Sequence, residues 1–161
     1  MKMHYILLAA IVLMLSACTE HTPSEDLLNK KAAIPASFNF SKAGLKVITS
    51  SFNRKNKTMS TLYGNDLALK TAIACGTSYP AGENLTLVTW KQQEDDRWFG
   101  ARIPGDLQSI EVVKTAHSNT DNGTTISYQK FEGRQLAINT DTLGQKARIK
   151  YIFAQKPSVM P

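Results

Sequence analysis

Histidine is the scarcest chemical resource of this sequence. There are 3 in 161 residues, and His4 and His21 fall in the first 34. Only His117 belongs to the stretch expected to fold, and there it sits in a polar loop. A catalytic triad needs a histidine placed by its neighbours, and a metal centre needs several converging ligands. One loop histidine supplies neither. Cysteine is equally sparse, with Cys18 and Cys75 alone, so no metal-spaced pair exists. No glycine-rich phosphate loop and no internal repeat is visible. The longest apolar run near the start, residues 5–15, is too short to span a bilayer as a helix.

That short run has a use. It follows the positive Lys2 and leads into Leu15-Ser16-Ala17-Cys18. The arrangement resembles a bacterial lipobox, with residues 1–17 as the signal peptide and Cys18 as the lipidated first residue. The implied partner is a membrane, reached through acyl chains such as palmitate; two or more chains are needed for a stable hold. Thr19 rather than aspartate follows, which suits an outer-membrane address, facing the periplasm or the cell surface. Residues 18–34 are polar, contain Pro23 and lack strand periodicity, so they read as a flexible tether. With Cys18 acylated, Cys75 has no disulfide partner, and its apolar helical setting favours simple burial.

Net charge is +6, and Lys2 is the only charged side chain ahead of Cys18. The single dense basic cluster, Arg54-Lys55-Asn56-Lys57, falls where a hairpin turn is expected. A solvated turn explains it, and no nucleic-acid partner is inferred.

Residues 35–161 read as one α+β domain: a mostly antiparallel β-sheet of about six strands with two flanking helices. The central feature is 85–105, LTLVTWKQQEDDRWFGARIPG. Alternation puts Leu85, Leu87 and Thr89 on one face and Thr86, Val88 and Trp90 on the other. A return strand over 97–103 carries Trp98 and Phe99, so this hairpin is expected to hold the largest block of buried aromatic area. Pro104-Gly105 is expected to end that strand. Earlier, 45–52 and 58–63 form a hairpin. Gly64-Asn65-Asp66 then stops the strand and caps a helix over 66–75. Strands over 109–114 and 125–131 follow. A helix within 135–157 is expected, with Asp141 able to cap it and Leu143, Ala147, Ile149, Ile152 and Phe153 on its packing face.

Glu94, Asp95 and Asp96, with Arg102 nearby, form a carboxylate cluster. Adjacent acids in a turn point different ways and suit a solvated tip better than a shared substrate. No nucleophile–base pair accompanies them, which favours a binding or structural module over an enzyme. Tyr79, Trp90, Trp98, Phe99, Tyr128 and Phe131 supply either a core or the lining of an apolar pocket.

Three motifs in order carry a resemblance. Tyr63-Gly64-Asn65-Asp66-Leu67-Ala68, then Tyr79-Pro80-Ala81-Gly82, then the 88–103 hairpin resemble the cytochrome P-460 (cytochrome c′-beta) family. The tail Tyr151-Ile152-Phe153-Ala154-Gln155-Lys156-Pro157-Ser158-Val159 is similar to the family's last segment. The resemblance covers about 48–161. It implies a mostly antiparallel sheet with flanking helices, a periplasm-side location, and a c-type haem that oxidises hydroxylamine or binds nitric oxide. The family attaches that haem through CxxCH just ahead of the last segment. Here the equivalent residues 136–143 are LAINTDTL, with neither cysteine nor histidine, and CxxCH occurs nowhere in the chain. Thioether bonds need thiols, and the iron needs an axial ligand. The expectation is therefore no cofactor. The alternative is haem held without covalent bonds, doing redox or gas-binding chemistry, with His117, Tyr79 and Trp98 as candidate contacts.

Overall fold

The computed structural model describes residues 28–74, 79–118 and 123–157. The signal segment, Cys18 and Cys75 lie outside these residues. Six strands form one antiparallel sheet in sequence order: β1 (Lys46–Asn53), β2 (Thr58–Gly64), β3 (Asn84–Glu94), β4 (Arg102–His117), β5 (Thr124–Glu132) and β6 (Ala137–Asn139). Helix α1 (Asp66–Ile73) follows β2, and α2 (Gln145–Phe153) follows β6. The α+β class and the mostly antiparallel sheet are as expected from the sequence. Among the described residues, no helix is long and apolar enough to cross a membrane.

Side-chain alternation divides the core in two. Leu85 and Leu87 join Ile48, Leu62, Ala68, Val113 and Ile152 beneath the helices. Val88 and Trp90 join Leu107 and Ile110 on the opposite face, covered by Ala32, Ile34, Phe38 and Phe40. The period of two in β3 thus reports both layers. Gly64 lies where β2 runs under α1. A Cβ there would stand 2.5 Å from Ile48 Cδ1 and 3.0 Å from Ala68 Cβ, so a larger residue would push Ile48 aside and crowd the helix. Asn65 caps α1 through Oδ1, which accepts from Ala68 N at 3.0 Å, while its Nδ2 donates to Gly82 O at 2.8 Å. One side chain therefore satisfies a helix end and fixes the loop entering β3.

Four expectations change. Pro104-Gly105 does not end a strand. β4 runs through both, so the segments expected at 97–103 and 109–114 belong to one 16-residue strand whose first part starts at Arg102. β5 pairs only with Ser109–His117, leaving Pro104 on an edge where its missing N–H forfeits no ladder bond. Register shifts around Trp90 absorb the irregularity. Trp98, at 71% exposure, and Phe99 stand on the tip of the β3–β4 hairpin rather than in the core. The tip is a turn closed by Asp95 N to Ala101 O and Ala101 N to Trp98 O, so strand alternation does not apply there. Finally, α2 starts at Gln145. Asp141 Oδ1 accepts from Leu143 N, two residues short of the helix, which leaves Leu143 exposed. Ahead of it, β6 supplies the sixth strand.

Residues 28–34, placed in the tether by composition, dock on the sheet. Lys30–Ala32 form a 3-10 turn. Asn29 Nδ2 donates to Pro104 O at 2.6 Å, Trp90 Nε1 to Ala32 O at 3.0 Å, and an Arg134 N–H to Lys30 O at 2.6 Å.

Candidate functional site

The helix-covered face is only half covered. Beyond the apolar cluster it opens into a groove of about 1030 Å³ whose lining includes Thr58, Ser60, Thr89, Ser109, Glu111 and Arg148. Ser60 and Thr89 hydroxyls share a hydrogen bond at 3.1 Å across β2 and β3. This polar character follows from the same alternation that builds the core: on β3, Thr89 takes the position after Leu85 and Leu87.

The groove ends at a buried ion cluster. Glu111, 1% exposed, stands in mid-strand on β4. Arg148 of α2 grips it with two bonds, Nε to Oε1 at 2.9 Å and Nη2 to Oε2 at 2.5 Å. The Tyr128 hydroxyl on β5 donates to Oε1 at 2.6 Å. A buried carboxylate needs this much compensation. Contact with Glu111 raises the Arg148 guanidinium further above its ordinary value. Burial first, and the bond to Glu111 second, push the Tyr128 phenol well up, so it stays a donor at any physiological pH. The guanidinium also lies over the Tyr151 ring, 4.9 Å from its centre. The cluster pins α2 to the sheet and leaves half of Arg148 facing the groove.

A second, smaller cavity of about 340 Å³ lies between α1, the end of α2 and the sheet. Its walls include Ile48, Leu62, Leu85 and Ile152 and the polar Thr71 and Gln155, with Tyr79 stacked on Phe153 at 3.8 Å between ring centres. Glu83 lines it at 2% exposure, and its Oε2 has no hydrogen-bond partner. The backbone of Glu83 is held firmly: its N–H donates to Thr115 Oγ1 at 2.8 Å, and its carbonyl accepts from Thr115 N at 3.0 Å. Burial raises the Glu83 carboxyl above its ordinary 4.5, partly offset by the Thr71 hydroxyl. The other titratable side chains on this cavity are Tyr79 and Lys156. A raised acid stabilises the fold fully below its ordinary value, and that contribution is lost as pH rises through the raised one. Glu83→Gln should therefore match the parent near pH ~4 and exceed it in unfolding free energy near pH ~8. Urea unfolding at both values checks this; a difference that does not grow with pH contradicts it.

The structure scatters the residues singled out from the sequence. His117 is exposed at the end of β4, opposite Thr124. Trp98 is on the hairpin tip beyond the other end of that strand. Tyr79 lines the smaller cavity. Glu94 meets Arg102 at 3.0 Å in an exposed pair, and Asp95 Oδ1 accepts from Arg97 N, so the acidic run serves the turn. Glu111, Arg148 and Glu83 were not singled out. The available signal was a carboxylate on the same strand face as Val113 and Thr115.

Covalent haem does not fit these donors. Residues 136–143 form β6 and the turn after it, and they present amide, carboxylate, hydroxyl and aliphatic groups. Thioether attachment requires thiols. Among the described residues, no three His, Cys, Asp or Glu side chains gather where they could hold a metal ion.

The family model described as Cytochrome P460 matches residues 42–151, more than half of the chain. No curated protein matches.

Proposed function

The chain belongs to the Cytochrome P460 family, and we propose that it is a haem-free, lipid-anchored member acting as a binding module in the cell envelope. One observation carries the reading. Where the resemblance calls for the haem attachment, this chain has β6 and an Asn139–Asp141 turn, with Asn139 Oδ1 accepting from Asp141 N at 2.7 Å. The larger groove, on the helix-covered face, is walled mostly by hydroxyls, amides, a carboxylate and cationic side chains, with the Phe52 and Tyr151 rings, rather than by the continuous apolar surface a flat macrocycle buries. Such walls suit a polar ligand, recognised through Ser60, Thr89 and the exposed half of Arg148.

The anchor is Cys18. Cys18→Ser should move the protein from the membrane fraction to the soluble fraction, because a precursor without acyl chains has no stable hold. Retention in the membrane would remove the anchor from the account. Hemin titration tests the cofactor reading on the purified protein. The expected result is no saturable Soret shift. A saturable one that Tyr79→Ala or His117→Ala abolishes would replace this reading with non-covalent haem chemistry.

A further inference from the structure

We propose that the smaller cavity under α1 is a binding site for a small organic amine with an apolar body, anchored by Glu83. The cavity is separate from the groove, and this inference does not depend on what the groove binds.

Three features converge. First, the cavity offers about 340 Å³, within the range of small-molecule sites. Second, aliphatic side chains and the stacked Tyr79–Phe153 pair form the apolar part of its wall, beside the polar Thr71 and Gln155, so that part accepts an apolar body. Third, the polar feature that lacks a partner is a carboxyl oxygen. Glu83 Oε2 is buried and receives no hydrogen bond, in a protein that supplies Glu111 with three donors. Buried polar groups are almost always satisfied, so an orphan acceptor on a side chain that lines a cavity calls for a donor from outside.

The chemistry selects the ligand class. A carboxylate ligand would place like charges together. An alcohol brings one donor and no charge. An ammonium brings several donors and the counter-charge that an ionised Glu83 lacks. The cationic side chain on the cavity lining, Lys156, follows α2 and is exposed, and it makes no ion pair with Glu83. Ala154 and Lys156 are both exposed, so the rim faces solvent.

The test is an NMR titration of the detergent-solubilised full-length protein with benzylamine, using benzoate as the control of reversed charge. Benzylamine should give saturable shifts at the amides of Thr71, Ala72 and Leu85, and benzoate should give none. Glu83→Gln keeps the shape and removes the charge; it should weaken benzylamine binding by about tenfold or more. Ala72→Leu fills the cavity without touching the carboxyl, and should also abolish the shifts while the sheet resonances stay in place. No shifts up to about 10 mM benzylamine, equal binding of benzoate, or unchanged affinity in folded Glu83→Gln would each overturn the proposal.

Discussion

Replacing Trp90 by alanine should lower the unfolding free energy by about 4 kcal/mol, the middle of the range for large aromatic truncations. Trp90 is 6% exposed and lies in the cluster of Val88, Leu107 and Ile110. Its indole N–H also holds Ala32 O, so truncation removes both the filler of that face and the tie to residues 28–34. Trp90→Phe separates the two. It keeps most of the ring and forfeits the hydrogen bond, at about 1 kcal/mol. Denaturant unfolding gives both values. Cleavage of residues 28–40 by a dilute protease should accelerate in Trp90→Ala more than in Trp90→Phe. A Trp90→Ala loss below about 1.5 kcal/mol would mean that this face contributes little to the fold.

The second large effect is expected at Arg148. Arg148→Met takes the guanidinium away from the Tyr151 ring and leaves Glu111 buried with Tyr128 as its remaining side-chain donor. Breaking a fully buried pair from one side destabilises by about 3 to 5 kcal/mol. Arg148 is 44% exposed, so water can reach the vacated side and the loss should fall near the lower end, about 3 kcal/mol. Adding Glu111→Gln should restore about half of it, because the amide carries no uncompensated charge. Measuring the two single variants and the double yields the coupling. Additive losses would show that the contacts are not energetically linked.

The sequence made one kind of information plain and concealed another. Patterns local to one strand or one turn were readable. The alternation of 85–90 assigned Leu85, Leu87, Val88 and Trp90 to the faces they occupy. Asn65 was legible as a helix cap because the N-cap geometry spans only three residues. Features set by distant partners were not readable. Whether Pro104 breaks a strand depends on β5 stopping short of it. Trp98 and Phe99 looked like core residues by composition, and it is the turn from Asp95 to Ala101 that places them outside. β6 is three residues long and exists only as an addition to β5. The ion cluster is the extreme case, since Glu111 and Arg148 are 37 residues apart and neither has a local signature. Glu83 escaped notice for a similar reason. Its burial depends on α1 and α2 closing over it.

The same distinction applies to function. The family motifs were visible as short segments, and the match over residues 42–151 spans those from Tyr63 to Ile103, with the tail after Tyr151 outside it. The missing attachment motif was visible as composition alone. Two features belong to three dimensions alone: a polar groove ending at Glu111 and Arg148, and a separate cavity lined by an acid whose Oε2 has no partner.

The most direct test of the central claim is an absorption spectrum of the protein purified from cells that make haem and mature c-type cytochromes. Absorption from tryptophan and tyrosine alone is the predicted result. A Soret band surviving acid-acetone extraction would contradict the account outright, since it would require covalent attachment in a chain without CxxCH. A band lost on extraction would equally contradict the haem-free reading, in favour of non-covalent haem.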